Sequence, residues 1–438
     1  MPKAALHNLG CKVNQYETDA MAELLAGAGY EIVPFAPGAD VYVINTCTVT
    51  GMADHKSRQM LRRARTFGPD SVVVAAGCYV DAAAPKLLEE HLADILIGND
   101  RKGRLPELLK RHAAGERGTS LMAVTSADEA PAYEPLTVVR PSEHTRAFLK
   151  VQDGCNQFCT YCAIPLVRGR VRSRRLDDAV CEARKLVGGG VREIVLTGIH
   201  LDSYGQDLPE GENLGALVRA LSEIPGLVRI RLGSLEPRCM TPEFVRILQS
   251  CAPLCPHFHL SLQSGCDTVL RRMNRKYTAA QFEEAVARLR EAFPDCAITS
   301  DVICGFPGET DEDFEETRRF LARLRPYELH VFPYSARVGT RAAVMPDQVP
   351  MQIRRERANA LIADADVWAS EFRARRLGQV REVLFEEETE QGCSGFTPEY
   401  VRVAAPGGIP GQVMRVRIDA LPAAGEILRG SLVSDNSR

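Results

Sequence analysis

Short apolar segments alternate with helical patterns along most of this 438-residue chain, and this alternation limits the folds that the chain can adopt. In the first 115 residues, segments at 4–9, 41–44 and 72–76 have the length and composition of buried parallel strands. Helical patterns at 17–28 and 53–65 lie between them. Such alternation predicts an α/β domain with a parallel sheet, in which the carboxyl ends of the strands share one edge.

A cysteine follows each of these three predicted strands within a few residues: Cys11, Cys47 and Cys78. A lone cysteine is more often a small buried hydrophobic residue than a metal ligand. Recurrence at the same point of three strands favours a ligand set, because loops at one edge of a parallel sheet converge. We therefore predict that these thiols meet and bind an iron-sulfur cluster that keeps one iron atom free of cysteine.

A second alternation, with a longer period, covers residues 147–335. The predicted strands lie at 147–152, 193–197, 228–232, 257–262, 297–304 and 328–333. The helical patterns lie at 177–187, 214–223, 242–250, 279–292 and 311–324, with Thr241, Thr278 and Asp311 at positions typical of helix caps. Six such units predict a partial (β/α)6 barrel, whose site lies at the carboxyl ends of its strands.

The first strand of the predicted barrel leads into a C-x3-C-x2-C motif formed by Cys155, Cys159 and Cys162. Three thiolates hold three corners of a 4Fe-4S cube, and without a fourth ligand in reach one iron stays open to a substrate or cofactor. Zinc is the alternative, although structural zinc sites use four ligands in paired spacings and the nearest histidine, His144, fits none of them. A disulfide is disfavoured by the odd number of cysteines in this motif and by the lack of an apolar signal segment after Met1.

Glycine-containing or polar turns follow the other predicted barrel strands. By position, we predict that Gly198, Glu236 and Gly305 contact the cofactor, together with Tyr161 between the last two cysteines. Glycine lets a ligand approach the backbone closely, and an aromatic ring can stack on an adenine. Ordinary turns have a similar composition, and Tyr161 fits simple packing beside a cluster equally well.

Arginine is concentrated behind the motif, at positions 168, 170, 172, 174 and 175. In an extended segment, alternate arginines would share one side, which suits binding of phosphates or carboxylates; a solvated, salt-bridged surface is the alternative. Further arginines lie at 58, 62, 63 and 65 and at 271, 272 and 275. Although the formal net charge is −3, which argues against a globally basic nucleic-acid binder, these local groups favour a nucleic acid as the partner.

The sequence pattern changes towards the end of the chain. A helical stretch at 351–375 is followed by short predicted strands at 380–385, 400–403, 412–418 and 426–433. This pattern predicts a small all-β barrel, which fits RNA binding or a structural cap. We predict an amino-terminal domain at 1–115, a connection at 116–140, a core at 141–371 and the barrel at 374–438. No apolar run is long enough to span a membrane, so we expect a cytoplasmic protein without a membrane partner.

The chain resembles the MiaB/RimO/MtaB methylthiotransferase family of radical S-adenosyl-L-methionine (SAM) enzymes from end to end. The matching segments are 45–50, 76–78, 150–162, 168–174, 260–265 and 301–310. The resemblance implies that the carboxyl-terminal barrel is a TRAM domain and that SAM and two 4Fe-4S clusters are the cofactors. It also implies that Cys155, Cys159 and Cys162 bind the SAM-cleaving cluster, and that Cys11, Cys47 and Cys78 bind an auxiliary one.

Members of this family insert a methylthio group into an unactivated C–H bond, so the resemblance also implies an external electron donor and a sulfur source. The segment Gly10-Cys11-Lys12-Val13-Asn14 is closest to the MtaB type, whose substrate is N6-threonylcarbamoyladenosine at position 37, in the anticodon stem-loop of tRNA. Three alternatives stay open. They are N6-isopentenyladenosine in tRNA, an aspartate of a ribosomal protein, and an iron-sulfur RNA-binding module without catalysis.

Overall fold

The computed structural model describes residues 1–125, 132–141, 145–390, 392–422 and 427–433. His144 and the start of the last predicted strand at 426 lie outside these residues. Three units follow one another along the chain: a first domain, a core and a small barrel.

The first domain contains a six-stranded sheet that is parallel throughout, in the order β2-β1-β3-β4-β5-β6. Its strands are β1 (Lys3–Asn8), β2 (Glu31–Val33), β3 (Val41–Thr46), β4 (Val72–Gly77), β5 (Ile95–Ile97) and β6 (Met122–Ala123). Its helices are α1 (Lys12–Gly27), α2 (Gly51–Phe67), α3 (Cys78–Glu89) and α4 (Leu105–Ala113). All six residues of β3 are buried, as expected for a strand covered on both faces. The predicted parallel sheet is confirmed.

The core contains six parallel strands in two adjoining sheets, β7-β10-β11 and β12-β13-β14. Their bounds are β7 (Arg146–Lys150), β10 (Glu193–Thr197), β11 (Arg229–Leu232), β12 (His257–Gln263), β13 (Ala297–Cys304) and β14 (Glu328–Pro333), while the short β8 (Gln152–Asp153) and β9 (Arg172–Ser173) pair separately. Single parallel bridges, Ile230 to Leu254 and Leu235 to Leu260, join the two sheets. The predicted partial (β/α)6 barrel is confirmed.

Helices cover the outside of this partial barrel and bury their apolar faces against it. They are α6 (Leu176–Gly188), α7 (Leu214–Ser222), α8 (Pro242–Ser250), α9 (Asp267–Arg272), α10 (Ala279–Ala292), α11 (Asp311–Leu324) and α12 (Met351–Ala374). The one-turn helix α5 (Ile164–Val167) lies instead against the first domain, where Asn99 Nδ2 donates to the Val167 carbonyl at 3.3 Å. The predicted caps Thr241 and Thr278 are confirmed. The predicted cap Asp311 is wrong, because the Thr310 side chain accepts the hydrogen bond from the Asp313 amide instead.

The small barrel is closed by five strands in the order β15-β16-β17-β19-β18. They are β15 (Val380–Thr389), β16 (Gly392–Phe396), β17 (Arg402–Ala405), β18 (Val413–Ala420) and β19 (Leu428–Leu432). The predicted all-β barrel is confirmed, although the sequence pattern missed β16. In that strand position 395 requires glycine, because a Cβ on Gly395 would lie 2.0 Å from the Leu384 carbonyl oxygen.

The small barrel packs against the amino-terminal ends of the core strands. Arg231 Nη1 donates to the Pro398 carbonyl at 3.0 Å, and Arg229 Nη1 donates to the Phe396 carbonyl at 2.7 Å. Arg146, the first residue of β7, forms an ion pair of 2.9 Å with Glu386. These contacts close one end of the partial barrel and leave the cysteine-bearing end open. Among the described residues, no helix combines the length and apolar character needed to span a membrane.

Candidate active site

The central cysteine trio, Cys155, Cys159 and Cys162, lies in the loop between β8 and α5, at the open end of the core. Gly154 starts this loop with a φ of +69°, and a Cβ there would lie 1.8 Å from the Arg170 carbonyl oxygen. Only glycine fits this conformation and this approach. The loop is braced further by the Cys162 amide, which donates to the Cys159 carbonyl at 3.0 Å. The motif spacing therefore forms a compact sulfur-rich turn.

Burial and the neighbouring sulfurs raise the pKa of two thiols of the metal-free central trio, Cys155 and Cys162. Burial raises the pKa of Cys155 to about 11 and that of Cys162 to about 12, and the Cys159 sulfur adds to both increases. A bound metal supplies the positive charge that ionises such thiols. The protein itself places one positive charge beside this trio. Arg275 Nη1 donates to Cys159 Sγ at 3.1 Å, and the Arg275 side chain is 6% exposed.

Glu236 is linked to this trio through Arg275, which contacts both Glu236 and Cys159. Its Oε1 pairs with Arg275 Nη2 at 2.8 Å and with His200 Nε2 at 3.4 Å. Burial raises the pKa of Glu236, but the hydrogen bond from His200 and the charge of Arg275 outweigh burial and hold it below its usual value. Glu236 is therefore an ionised carboxylate beside the predicted cluster, placed to accept hydrogen bonds from a polar cofactor.

The other three predicted cofactor contacts have different surroundings. Tyr161 packs with Phe306 and Tyr334 in a small apolar group near the motif. A Cβ on Gly198 would lie 2.9 Å from Gln152 Oε1, and one on Gly305 would lie 2.4 Å from Arg354 Cγ. Close packing within the protein thus already accounts for both glycines. Contact of these residues with SAM stays a prediction.

The upstream cysteine trio, Cys11, Cys47 and Cys78, lies at the carboxyl ends of β1, β3 and β4, which are neighbours in the sheet. Gly10, with a φ of +109°, lies so close to Cys47 that a Cβ on it would be 3.0 Å from the Cys47 Sγ. Burial raises the pKa of Cys47 to about 12, and the sulfurs of Cys78 and Cys11 contribute to that increase. The structure thus places the three thiols on one rim, as the strand pattern predicted.

Arg168 connects this upstream trio to the core. Its Nε donates to Cys78 Sγ at 3.3 Å, and its Nη1 lies 3.0 Å from both Glu17 Oε1 and Asp153 Oδ1. The side chains of Arg168 and Glu17 are fully buried. Glu17 belongs to the first domain and Asp153 to the core, so one guanidinium joins the two units beside a cysteine.

Two buried lysines complete this interdomain ionic cluster, which consists of Glu17, Lys102, Lys150, Asp153 and Arg168. Lys102 lies 2.8 Å from Glu17, while Lys150 lies 2.7 Å from Glu17 and 2.6 Å from Asp153. Three cations therefore face two carboxylates, and the excess positive charge lies beside Cys78. This arrangement suits the negative charge of a cysteine thiolate on a metal centre.

Several arginines predicted to form a phosphate-binding surface, Arg168, Arg172, Arg174 and Arg275, have their side chains buried within the protein, and the prediction is wrong for these four residues. Arg168, Arg172 and Arg174 are buried, and Arg174 pairs with Glu182 at 2.8 Å. On α2, Arg62 pairs with Glu90 and Arg65 with Asp94, and downstream Arg275 is held by Glu236. Apart from Glu182, which is near Arg174 in the sequence, the acidic partners are distant in sequence, so the arginine spacing alone gave no sign of them.

A cavity of about 620 Å³ separates the upstream trio from the carboxyl ends of the last core strands. Cys11 and Cys47 line one wall, while Asp301, Phe332 and Tyr334 line the opposite wall. Tyr334 also belongs to the apolar group that contains Tyr161 of the motif. The volume of the cavity is typical of small-ligand pockets. Because Cys11 and Cys47 line the cavity, a substrate group bound there would contact these two cysteines directly.

The two trios contain six thiols that are available as metal ligands. All fourteen cysteines are free thiols, so none of the six is used in a disulfide. A closed structural zinc site takes four ligands, whereas each trio offers three thiols, the number that a 4Fe-4S cluster with one cysteine-free iron requires.

The partial (β/α)6 barrel with its three-cysteine loop defines a radical SAM enzyme, and comparisons with known proteins agree. Residues 149–321 match the Radical SAM superfamily, and residues 3–98 match the uncharacterized protein family UPF0004. The structure of the radical SAM methyltransferase TsrM from Kitasatospora setae, with cobalamin and a [4Fe-4S] cluster bound, is similar with a TM-score of 0.59. It is 16% identical, and the match covers 78% of this chain and 77% of that one.

Two relatives match nearly the whole chain. The threonylcarbamoyladenosine tRNA methylthiotransferase MtaB of Bacillus subtilis strain 168 is 41% identical, covering 95% of this chain and 94% of its own. The tRNA-2-methylthio-N(6)-dimethylallyladenosine synthase of Moorella thermoacetica is 36% identical, covering 97% of each chain. This chain belongs to the MtaB/MiaB-type methylthiotransferase family of radical SAM enzymes. Its cofactors are SAM and two 4Fe-4S clusters.

Proposed function

We propose that this enzyme adds a 2-methylthio group to N6-threonylcarbamoyladenosine at position 37 of tRNA. The observation that carries the proposal is the similarity of the whole chain to relatives with that name, including the 41% identical protein of Bacillus subtilis. The segment Gly10-Cys11-Lys12-Val13-Asn14, which borders the cavity, supports the same substrate. A tRNA substrate places the reaction in the cytoplasm.

Six cysteines hold the two clusters in this proposal. Cys155, Cys159 and Cys162 hold the cluster that binds SAM, and Cys11, Cys47 and Cys78 hold the auxiliary cluster. When bound, these groups supply the radical that removes hydrogen from the target carbon and the methylthio group that replaces it. An external electron donor and a sulfur source are further partners in the proposal.

The residues around the central trio orient the cofactor. Arg275 fixes Glu236 at 2.8 Å and contacts Cys159, so the carboxylate keeps one position relative to the motif. Ionised Glu236 then accepts hydrogen bonds from the polar groups of SAM. Tyr161 covers the same loop with an aromatic surface and limits the access of water to it.

The mouth of the cavity is suited to an unpaired RNA base. Met52 and Phe332 are exposed there at 64% and 45%, together with Val49, and all three line the cavity. Lys56 lines the same mouth, is exposed, and forms no ion pair among the described residues. Apolar and aromatic side chains next to a cation are the combination that binds single-stranded nucleic acid.

The test uses anaerobically reconstituted enzyme with two anticodon stem-loops, one carrying N6-threonylcarbamoyladenosine and the other N6-isopentenyladenosine. We expect nucleoside mass spectrometry to show the 2-methylthio product on the first, with 5'-deoxyadenosine formed in parallel. Product on the isopentenyl substrate alone would refute the proposed substrate. The absence of 5'-deoxyadenosine under reducing conditions would instead indicate an RNA-binding module, and methylthiolation of a ribosomal protein would indicate the third alternative.

A further inference from the structure

A second cavity, of about 850 Å³, lies at the end of the core opposite the cysteine trios. Residues just before β13 and β14 line it, together with the end of α12 and the linker to the small barrel. Five of its lining residues are arginines, and we call it the arginine pocket: Arg290, Arg323, Arg325, Arg375 and Arg376. These five lie outside the arginine groups that the sequence pattern indicated.

Two carboxylates also line the arginine pocket, and each of them already has an arginine partner. Asp295 pairs with Arg381 at 2.7 Å, and Glu371 pairs with Arg325 at 2.8 Å. The acidic groups of the pocket are therefore neutralised by two arginines, and they leave the other lining arginines without a counter-charge.

Three arginines of the pocket, Arg290, Arg375 and Arg376, form no ion pair within the part of the chain that the structure describes. Arg290 Nη2 donates to the Leu324 carbonyl, and Arg376 Nη2 donates to the Asp295 carbonyl at 3.0 Å. Because main-chain carbonyls carry no net charge, these hydrogen bonds leave the positive charges of the guanidinium groups unbalanced.

Arg376 is the clearest indication of a ligand, since it is buried without a carboxylate partner. The residue is 4% exposed, and its Nε has no hydrogen-bond partner among the described residues. The guanidinium lies 4.0 Å from the centroid of the Phe372 ring, which in turn packs on the Tyr327 ring at 4.5 Å. Buried arginines are almost always paired with a negative group. This fixed cation is therefore placed to receive an anion.

The arginines of the pocket also disfavour one another electrostatically. Burial lowers the pKa of Arg290, and the charge of Arg375 adds to that decrease. Burial is likewise the main cause of the lowered pKa of Arg376, to which the charges of Arg381 and Arg375 contribute although Glu399 opposes them. A negative group bound among these side chains would offset their repulsion.

We propose that the arginine pocket binds a phosphate group, held by Arg290, Arg375 and Arg376. The planar guanidinium binds phosphate oxygens through two parallel hydrogen bonds, and a pocket of this volume admits a ligand larger than one phosphate. Such a phosphate belongs either to the backbone of an RNA or to a free phosphate compound, and the two arms of the test below separate these sources.

The arginine pocket is within reach of an RNA that occupies the cavity beside Cys11 and Cys47. Ile298, near the start of β13, lines the arginine pocket, whereas Ile303, near the end of the same strand, lines that cavity. A strand rises about 3.3 Å per residue, which puts these two residues roughly 17 Å apart. The phosphate site does not depend on which nucleoside is modified, so it stands or fails separately from the proposed substrate.

The first arm measures binding of inorganic pyrophosphate to the reconstituted full-length enzyme by isothermal titration calorimetry. We expect Arg375→Gln and Arg290→Gln each to weaken binding about tenfold or more, the effect of losing one charge-assisted hydrogen bond. Arg375→Lys retains the charge and should lose less than Arg375→Gln. The matched control is Arg219→Gln, which replaces an exposed arginine of α7 outside the pocket and should bind as wild type does. Arg375 is itself exposed, so its replacement is compatible with folding.

The second arm measures binding of an unmodified tRNA transcript by fluorescence anisotropy over a range of salt concentrations. If the phosphate belongs to RNA, the double variant Arg290→Gln/Arg375→Gln binds tRNA more weakly. Its slope of log affinity against log salt also becomes shallower by about one to two, because each lost phosphate contact removes about 0.7 to 0.9. If the phosphate belongs to a free compound, the variant loses pyrophosphate binding and keeps the wild-type salt slope.

Either of these two results supports the phosphate site. If the double variant and wild type agree in both pyrophosphate affinity and salt slope, the proposal is overturned. A wild-type enzyme that modifies only isopentenyladenosine would refute the proposed substrate and leave both measurements of the arginine pocket unaffected, so the two failures are distinguishable.

Discussion

The two cysteine trios are assembled by different routes. The central trio comes from one eight-residue loop, and its protein environment includes one arginine, Arg275, at 3.1 Å from Cys159. The upstream trio comes from three loops of a parallel sheet, and its neighbour Arg168 is held by a buried ionic cluster shared by two domains. The first site is local, whereas the second gains its arginine neighbour only when the first domain and the core are docked. We therefore expect the upstream site to be more sensitive to changes at the domain interface.

The largest difference is expected on removal of a single cysteine from each trio. Cys159→Ala should abolish both formation of 5'-deoxyadenosine and transfer of the methylthio group, since no SAM-binding cluster forms. Cys47→Ala should keep formation of 5'-deoxyadenosine and lose only methylthio transfer. Mass spectrometry of both products from one reaction separates the two results. If Cys47→Ala retained methylthio transfer, the division of labour between the trios would be wrong.

Removal of Arg168 is the next largest effect. Arg168→Gln leaves Glu17 and Asp153 buried with fewer partners, and losing one member of a buried ion pair costs about 3–5 kcal/mol of unfolding free energy. Chemical denaturation of the metal-free protein measures this cost. The matched control is Arg65→Gln, which breaks a half-exposed pair with Asp94 and should cost less than about 1 kcal/mol. Equal costs for the two variants would contradict the structural role of the interdomain ionic cluster.

Replacement of Arg275 has a smaller effect, confined to the central site. Arg275→Gln removes the contact with Cys159 and releases Glu236, so we expect a several-fold higher KM for SAM and an altered electron paramagnetic resonance signal of the central cluster. The auxiliary cluster should keep its signal. The control is Arg271→Gln, an exposed arginine whose side chain donates to Thr268. If Arg275→Gln changed the signal of the auxiliary cluster and not that of the central cluster, the assignment of Arg275 to the central site would be wrong.

Features that depend on local sequence patterns could be predicted from the sequence. Strands β10, β13 and β14 have the predicted bounds, and a polar or glycine-containing turn that follows each of them marks its end. The convergence of the upstream cysteines followed from the rule that parallel strands end on one edge. Helix α1 starts at residue 12 rather than 17, because its N-cap Cys11 offers no capping side chain to mark the start.

The partners of buried charges could not be predicted. Arg168 and Glu17 are separated by about 150 residues, and neither sequence neighbourhood indicates that they meet. For the same reason Arg275 was interpreted as part of a cationic surface, although it contacts a cysteine of the motif. Charge patterns in a sequence show how many cations a segment has, whereas only the tertiary fold determines which of them remain free for a ligand.

The central claim is that two separate cysteine trios each hold an iron cube. Iron and acid-labile sulfide counts on anaerobically reconstituted protein test it most directly, with wild type compared with a variant in which Cys11, Cys47 and Cys78 are all alanine. We predict about eight iron atoms and eight sulfides per wild-type chain, and about four of each in the variant. Equal iron content in the two proteins, or zinc in place of iron, would contradict the account.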